Sequence, residues 1–302
     1  MSEITEQQLN PAKVAEQYVN AVKREASSID QTINVVGLIA SEDKPSLAYG
    51  RATKQKFDDV GIHYDLRSVT RLDLESLIHE LNEDTTVHGI FIYFPVFNNQ
   101  QDDYLRNLVD FRKDIEAGSS YWTRKLYAND RFAVENGKDK KALLPCTPLA
   151  IIKMLTEVNV YDMSRQKPIA GKVVTIFNRS EVIGRPLAVM MSNDGATVYS
   201  FDENGPLKFV HAQPSETDIT RSEALAQSDI VVTGVPNKEF MKISCKEIRQ
   251  GTTCINFSST PNFFDDVNTH TDIYIPKVGP MTVAMCMRNT LRLFTNFHQG
   301  TA

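Results

Sequence analysis

The sequence predicts an α/β protein built from two αβ domains, the second a Rossmann-like parallel sheet, with a cleft between them. Three observations carry this prediction. The chain has 302 residues, enough for two buried cores. Continuous apolar runs alternate with helical patterns along both halves. Residues 172–202 read as strand, tight polar turn, helix and second strand, and that second strand ends on an acidic residue.

The first half reads as a βαβαβ unit preceded by a helix. Apolar runs with polar borders predict buried strands, and such a unit has right-handed connections and a mainly parallel sheet. A polar, weakly periodic stretch follows, which predicts a long loop. In chain order we predict helix Asn10–Ala26, strand Asn34–Ala40, helix Pro45–Val60, strand Gly61–Val69, helix Asp73–Leu81, strand His88–Pro95 and loop Gly118–Lys141.

The second half repeats the αβ pattern. Pro148 is typical of a first helical position and Thr147 of an N-cap, so a helix is predicted to begin there and run to Val158. We further predict strands Val173–Phe177, Ala196–Phe201, Asp229–Val235 and Thr253–Phe257, a helix at Gly184–Ser192, an exposed polar insertion at Asn204–Arg221 and an amphipathic helix at Thr282–Phe297.

The unit at residues 172–202 is typical of adenine-dinucleotide binding. A helix N-terminus offers free N–H groups to a pyrophosphate, and a carboxylate about 20 residues past the turn can accept the ribose hydroxyls. Asp202 has that position. The glycine fingerprint is incomplete, however, since Asn178, Arg179 and Ser180 precede Gly184. An ordinary strand–helix turn that binds no nucleotide therefore remains the alternative at this point.

Composition excludes several classes of function. The net charge is −5 and no basic stripe occurs, which argues against nucleic acid as a partner. No run approaches the ~20 apolar residues of a membrane helix, so no membrane association is expected. Glu3, Glu6 and Glu16 are atypical of targeting segments, and we expect a cytoplasmic protein. The four cysteines lack the spacing of metal ligands, so no metal is expected.

Several segments, in order, resemble the methylenetetrahydrofolate dehydrogenase/cyclohydrolase family. The turn N-R-S-E-V-I-G-R-P looks like the family's G-R-S-x-x-V-G-x-P. The closest likeness is to the fungal monofunctional NAD-dependent members, which share the N-R-S form. The other matching segments are Ser46–Tyr49 (S-x-x-Y), Lys113–Glu116 (K-D-V-D-G), Leu144–Pro148 (P-C-T-P) and Pro276–Met285 (V-G-P-M-T-x-A-M).

The resemblance implies oxidation of 5,10-methylenetetrahydrofolate to the methenyl form in one-carbon metabolism, including purine biosynthesis. Tyr49 corresponds to the tyrosine that stacks on the folate, and Glu116 to the acid that holds the pterin edge. Thr53 stands where the family's cyclohydrolase lysine would be, and Tyr93 where its glutamine would be. The resemblance therefore implies that cyclohydrolase activity is lost. Cys146 lies in a turn beside the family's active site, but a buried bystander is the favoured interpretation.

For the cofactor, NAD is predicted over NADP, because the charge of Asp202 would repel a 2′-phosphate. Arg179 and Arg185 are the counter-evidence, since guanidinium groups bind phosphate. The resemblance also implies a homodimer and assigns residues 1–147 to folate, 148–279 to NAD and 280–302 to a helix that returns to the first domain. The predicted cofactor-binding residues are Arg179, Ser180, Gly184, Arg185, Asp202, Thr233, Gly234, Pro236 and Thr282.

Three alternatives stay open. One is a non-catalytic dinucleotide-binding protein on the same fold, which the incomplete glycine fingerprint and the missing lysine favour. Another is an NADP-dependent bifunctional dehydrogenase/cyclohydrolase. The third keeps the two-domain layout with another substrate, as in shikimate- or amino-acid-dehydrogenase-like proteins, although their catalytic lysine and aspartate are not found.

Overall fold

The computed structural model describes residues 10–135, 137 and 139–300. The sequence interpretation of Glu3 and Glu6 lies outside these residues. The described chain forms two compact units, named here by their sheets. The three-stranded unit contains Glu16–Cys146 and the chain from Val283 onward, and the seven-stranded unit contains Thr147–Thr282 and the described residues before Glu16. No helix among the described residues is long and apolar enough to cross a membrane.

The three-stranded unit has a parallel sheet in the order β2-β1-β3. The continuous apolar runs form β1 and β3, as the sequence predicts, and side chains of these two strands pack with Leu74 and Ile78 in one core. Its elements, with the first helix beginning before the unit boundary, are α1 Pro11–Ala26, β1 Asn34–Ile39, α2 Lys44–Asp59, β2 His63–Ser68, α3 Leu74–Glu83, β3 Gly89–Ile92, α4 Gln100–Leu108 and α5 Ser120–Tyr127.

The seven-stranded unit has the sheet order β10-β9-β8-β4-β5-β6-β7, with β6 and β7 antiparallel to their neighbours and the rest parallel. Helices α6 and α10 cross the unit boundary. The elements are α6 Cys146–Glu157, β4 Val173–Phe177, α7 Gly184–Asn193, β5 Thr197–Asp202, β6 Gly205–Val210, β7 Gln213–Glu216, α8 Arg221–Gln227, β8 Ile230–Thr233, a 3₁₀ turn Cys245–Glu247, β9 Thr253–Asn256, α9 Val267–His270, β10 Tyr274–Ile275, α10 Gly279–Leu293 and a π-helical turn Phe294–His298.

The long loop predicted at Gly118–Lys141 is wrong in part, because α5 lies within it. Trp122 and Leu126 are four residues apart and both buried, so one face of α5 enters the core. Tyr121 stacks on Phe111 with ring centroids 3.9 Å apart. Two helical turns are too short for the apolar period to stand out from the polar residues around them.

The exposed polar insertion predicted at Asn204–Arg221 contains a β-hairpin that widens the sheet and that the sequence did not predict. β5 pairs with β6 and β6 with β7, all antiparallel. His211 and Ala212 join β6 to β7 and both have positive φ, as a two-residue hairpin turn requires. Neither residue is the Gly, Asn or Asp that usually marks such a turn, so the sequence carried no signal for it.

The start of α6 differs from the predicted one. The helix begins at Cys146 rather than at Pro148, so Thr147 lies inside it and is not its N-cap. The Thr147 hydroxyl instead lies 3.5 Å from the hydroxyl of Thr282 in the first turn of α10.

Lys113 ties the segment after α4 to the end of α3. Its ammonium is buried and donates to the carbonyl oxygens of Leu81 (2.7 Å), Asn82 (2.8 Å) and Asp84 (2.7 Å). These acceptors include carbonyls that a helix C-terminus leaves without partners. A buried cation with three acceptors at one helix end fixes where the segment from Lys113 to Glu116 begins.

We predict that Lys113→Met lowers the free energy of unfolding by about 3 kcal/mol, because the carbonyl oxygens of Leu81 and Asn82 lose their ammonium donor at the end of α3. Chemical denaturation measures the change. Lys23→Met, on the exposed side of α1, is the control and should change stability by less than about 0.5 kcal/mol. Equal effects of the two substitutions would contradict the structural role of Lys113.

Candidate active site

Tyr49 and Thr53 lie four residues apart on α2, on one face of the helix. The helix begins after Asp43, whose carboxylate caps it by accepting from the Ser46 N–H, and Pro45 lies in its first turn. The cap places the S-x-x-Y segment in the first two turns. Thr53 is 2% exposed, whereas Tyr49 is 46% exposed and offers its ring to solvent or a ligand.

A cluster of hydroxyl groups surrounds these two residues. The Tyr93 ring meets the Tyr49 ring edge-on at 6.0 Å, and the Tyr93 hydroxyl lies 2.8 Å from that of the fully buried Tyr64. The Thr53 hydroxyl makes no hydrogen bond of ordinary geometry, although it lies near enough to both Tyr49 and Tyr93 to influence their titration. The cluster is therefore uncharged and has spare hydrogen-bonding capacity at Thr53.

Burial keeps the phenols of this cluster protonated. It raises the pKa of Tyr93 to about 12, with the hydroxyls of Tyr64 and Thr53 opposing part of the rise. It also raises the pKa of Tyr49, and the neighbouring Cys286 and Glu116 add to the rise. Neither phenol can act as a base near neutral pH, so both serve as neutral packing and hydrogen-bonding groups.

Lys54, the next residue along α2, points elsewhere. Its ammonium donates to the Asp58 carboxylate at 2.8 Å and to the Tyr64 carbonyl oxygen at 2.7 Å. Lys54 is turned by about 100° from Thr53 around the helix, and its partner on Tyr64 is the backbone carbonyl, not the hydroxyl that contacts Tyr93. No lysine side chain therefore joins the hydroxyl cluster from this turn of α2.

Glu116 follows the anchored Lys113 by three residues and is partly buried. Burial first, and then the negative charge of Asp114, raise the pKa of Glu116 to about 8, while Arg106 opposes the rise. Asp114 is itself buried and accepts the Ser119 N–H at 2.8 Å. Without a ligand, the Glu116 carboxyl is thus protonated in most molecules at neutral pH.

Cys146 is buried beneath the same segment. Its thiol donates to the carbonyl oxygen of Ile115 at 3.3 Å, and the Asn289 amide lies 3.2 Å from its sulfur. Burial raises the pKa of Cys146 well above its ordinary value. A thiol of this kind is inert, in agreement with a packing role.

The cofactor site predicted in the seven-stranded unit contains a cavity of about 600 Å³. It lies at the carboxyl ends of β4, β5 and β8, where open α/β sheets bind ligands. Five predicted residues line it: Arg179, Ser180, Asp202, Gly234 and Pro236. The residues that the sequence analysis missed are Phe177, Asn178, Phe201, Glu203, Val235, Asn237 and Phe240.

Three aromatic side chains line this cavity, and two of them, Phe177 and Phe201, could have been predicted because they end two of the predicted strands. Phe177 ends β4 and pairs in register with Phe201, the last residue but one of β5; their rings stack at 5.1 Å, and Phe240 packs against Phe177 at 5.7 Å. A flat apolar surface of this kind suits an aromatic base.

Two glycines make close contacts beside the cavity, Gly184 at the start of α7 and Gly234 directly after β8. A Cβ on Gly184 would lie 2.0 Å from the Asn178 carbonyl oxygen, and a Cβ on Gly234 would lie 1.8 Å from the Phe257 ring. Only glycine fits at position 184, where the obstacle is backbone, whereas a side chain at position 234 would have to displace the Phe257 ring. Ser180 caps the turn between β4 and α7, since its hydroxyl donates to the Asn178 side chain at 2.7 Å. Gly184 shapes the turn from behind rather than lining the cavity.

Arg179 and Asp202 form an ion pair at one wall of the cavity. The guanidinium donates to the Asp202 carboxylate and also to the carbonyl oxygens of Ser200 (2.9 Å) and Gly205 (3.0 Å). Its side chain is only 10% exposed. Arg179 is thus bound to the end of β5. Because its charge is paired with Asp202, it is less able to attract the 2′-phosphate of NADP.

Three other predicted cofactor residues lie outside the cavity lining. Thr233 is fully buried and donates to Ile255 O and Asn256 Oδ1. Arg185 pairs with Glu181 one turn earlier. Thr282 lies in the first turn of α10. Their predicted roles in cofactor binding stay predictions. The described residues hold no cluster of His, Cys, Asp and Glu able to bind a metal ion.

Two family models match the chain. The model of the tetrahydrofolate dehydrogenase/cyclohydrolase catalytic domain matches residues 9–116, and that of the NAD(P)-binding domain of the same family matches residues 145–298. Together they span most of the chain.

Individual relatives agree with these models. The methylenetetrahydrofolate dehydrogenase [NAD(+)] of Dictyostelium discoideum is 42% identical over 87% of this chain and 86% of its own. The Saccharomyces cerevisiae protein of that name is 37% identical over 94% of this chain and 95% of its own. The solved structure of the NAD-dependent S. cerevisiae dehydrogenase has a TM-score of 0.90 at 35% identity, and covers 97% of this chain and 98% of that one.

A prediction follows from the raised pKa of Glu116. A folded-state pKa above the unfolded value stabilises the protein below pH ~4.5, and this contribution is lost as the pH rises to about 8. Glu116→Gln removes the titration. We expect the wild type to lose about 2 kcal/mol more unfolding free energy than this variant between pH 5 and pH 8, after allowance for partial exposure.

Urea denaturation at the two pH values measures this difference. Glu80→Gln, on the exposed side of α3, is the matched control and should follow the wild type. A Glu116→Gln variant with the same pH dependence as the wild type would show that the Glu116 carboxyl is ionised in the folded protein.

Proposed function

Because the chain belongs to the tetrahydrofolate dehydrogenase/cyclohydrolase family, we propose that it oxidises 5,10-methylenetetrahydrofolate to 5,10-methenyltetrahydrofolate with NAD. The observation that carries the proposal is the combination of an exposed Tyr49 near Glu116 with a cavity of about 600 Å³ that Asp202 lines at the carboxyl ends of the second sheet's strands. The named relatives with 37–42% identity are NAD-dependent dehydrogenases of this folate.

Oxidation of methylenetetrahydrofolate requires little general acid–base catalysis from the protein. The substrate nitrogen can expel its electron pair toward the one-carbon unit as a hydride leaves, so no strong general base is required. Bound NAD would supply the hydride acceptor. The protein's contribution is to hold the reactants in place, which can lower such a barrier by roughly 7–11 kcal/mol. The neutral Tyr49, Tyr93 and Thr53 cluster is consistent with a positioning role.

On the folate side, we propose that the Tyr49 ring stacks on the substrate and that Glu116 holds the pterin edge. A carboxylate can pair with an amino-pyrimidine through two hydrogen bonds, and this pairing needs the ionised form. Glu116 has a pKa of about 8 without ligand. Pterin binding therefore has to drive loss of the Glu116 proton. Deprotonation of this buried carboxyl costs free energy, and only a ligand that makes both hydrogen bonds offsets that cost.

On the cofactor side, NAD is favoured over NADP by Asp202. Its carboxylate lies in the cavity wall with one oxygen engaged by Arg179 and by the Asn204 N–H. The other oxygen is available to ribose hydroxyls, and a 2′-phosphate would meet the carboxylate charge. We propose that the ribose binds there and that the pyrophosphate binds at the turn carrying Ser180.

We also propose that the protein lacks cyclohydrolase activity. Hydrolysis of the methenyl bridge needs a group that moves a proton near neutral pH. Thr53 is buried at the position of the family's lysine, and the Lys54 ammonium is bound to Asp58 and to the Tyr64 carbonyl. Tyr93 replaces the glutamine and has a pKa of about 12.

Further proposals concern the setting of the reaction. We expect a cytoplasmic enzyme of one-carbon metabolism whose product serves purine biosynthesis, and a homodimer formed through its cofactor domains. The hairpin strand β7 is in keeping with such an association, because its four residues are exposed at the edge of the sheet. Sedimentation of the purified protein tests the dimer.

The reaction itself is tested by absorbance. With methylenetetrahydrofolate, the purified protein should form NADH and methenyltetrahydrofolate in equal amounts, and its kcat/KM should be higher with NAD than with NADP. Formation of neither product would favour a non-catalytic dinucleotide-binding protein, and a preference for NADP would overturn the cofactor assignment.

The same preparation tests for the second activity. Methenyltetrahydrofolate without NAD should decay no faster with the protein than without it, at a pH where spontaneous hydrolysis is slow. Decay that requires the protein would contradict the proposal. Its loss in Lys54→Ala would then show that Lys54 leaves Asp58 and performs the role assigned to the family's lysine.

A further inference from the structure

Asn178 stands at the point where the seven-stranded sheet changes direction. From β4 the chain passes to β5 on one side, and after the hairpin and α8 it passes to β8 on the other side. Ligands of open α/β sheets bind at such a switch point, outside the carboxyl ends of the two strands. Asn178 directly follows β4, and Gly234 directly follows β8.

The backbones of β4 and β8 remain paired up to this point, since the Gly234 N–H donates to the Phe177 carbonyl at 3.0 Å. Beyond it the two chains separate to form the cavity. The Asn178 side chain crosses the opening, because its amide Nδ2 donates to the Gly234 carbonyl oxygen at 2.9 Å. One side-chain hydrogen bond therefore joins the two turns where they begin to diverge.

The other end of the same amide holds the cofactor turn. Asn178 Oδ1 accepts from the Ser180 N–H at 3.0 Å and from the Ser180 hydroxyl at 2.7 Å. The Ser180 carbonyl oxygen in turn accepts the Arg185 N–H at 3.0 Å, inside the first turn of α7. A single planar amide thus sets Gly234 on one side and Ser180 on the other, and all three residues line the cavity.

The family motif has glycine at this position, which can make none of these bonds. We propose that Asn178 is a positioning residue for the dinucleotide, one that holds the turns after β4 and β8 at the separation the cofactor needs. The proposal rests on the proposed binding of NAD. It assigns Asn178 no contact with the reacting atoms, so its effect falls on cofactor affinity, and it accounts for a chain that departs from the glycine fingerprint yet keeps a formed cavity.

Two variants test the proposal. Asn178→Gly restores the family residue, and Asn178→Ala removes the amide without adding backbone freedom. Each loses the bond across the opening and the two bonds from Ser180. We expect the Kd for NAD, measured by calorimetry without folate, to rise roughly 5- to 30-fold in both, the loss of one to two net hydrogen bonds. The KM for folate at saturating NAD should change less than about twofold.

The matched control is Asn82→Ala in the three-stranded unit. Its amide also joins two backbone segments, donating to Leu108 O at 2.8 Å and accepting the Asp110 N–H at 2.9 Å. This variant should lower Tm about as much as Asn178→Ala and leave the Kd for NAD unchanged. A general loss of stability would move NAD affinity in both variants alike and would overturn the proposal.

The outcomes separate this proposal from the function on which it rests. If wild-type protein binds no NAD, the proposed function fails. If wild-type protein binds NAD and both Asn178 variants bind it equally well, the function stands and the role of Asn178 is wrong. A rise in Kd with Asn178→Ala alone also overturns the proposal, because glycine would then replace the Asn178 side chain without loss of NAD affinity.

Discussion

The seven-stranded sheet grows in two directions from β4, and this constraint determines where its chemistry can lie. Strands on both sides of β4 end at the same edge, so the turns after β4, β5 and β8 face one cavity. Backbone hydrogen bonding must stop where the strands diverge. Side chains of the N-R-S turn take over there, with Asn178 reaching the turn after β8 and Arg179 reaching the end of β5. The turn is the junction on which the cavity walls depend.

The pKa values of Tyr49, Tyr93 and Glu116 are set mainly by burial. The tyrosine and threonine hydroxyls near Tyr49 stay neutral, and Glu116 is raised to a pKa of about 8 by burial and by Asp114. A site of this kind offers hydrogen bonds and aromatic surface but no strong base. Such a site suits a reaction in which the substrate nitrogen donates the electron pair and the protein holds the reactants in the correct orientation.

Much of the fold could be predicted from the sequence, because fully buried parallel strands leave continuous apolar runs. β4 was predicted to the residue, and β1, β2 and β5 to within two residues at either end. Short elements were harder. α5 has only two turns, and the β6–β7 turn uses His211 and Ala212 where glycine or asparagine is usual.

Some residues of the candidate site could be predicted from sequence motifs, and others could not. Motif residues such as Ser180, Asp202 and Gly234 could be predicted because their chemistry is tied to a turn or a strand end. Phe240 and Asn237 are contributed by a loop with no motif of its own, and only tertiary structure brings them to the cavity. The ion pair between Arg179 and Asp202 could not be predicted either. From the sequence, Asp202 favours NAD and Arg179 favours NADP, with nothing to indicate that the two side chains meet.

That pairing permits the most direct test of the account, a double-mutant cycle on cofactor preference. The ratio of kcat/KM for NAD to that for NADP is measured in wild type, Asp202→Asn, Arg179→Met and the double variant. Asp202→Asn should shift preference toward NADP, since it removes the repelling charge and releases the Arg179 guanidinium for a 2′-phosphate. In the Arg179→Met background the same change should shift preference at least about fivefold less, a coupling of about 1 kcal/mol. Equal shifts in both backgrounds would contradict the claim that the two side chains act as one unit.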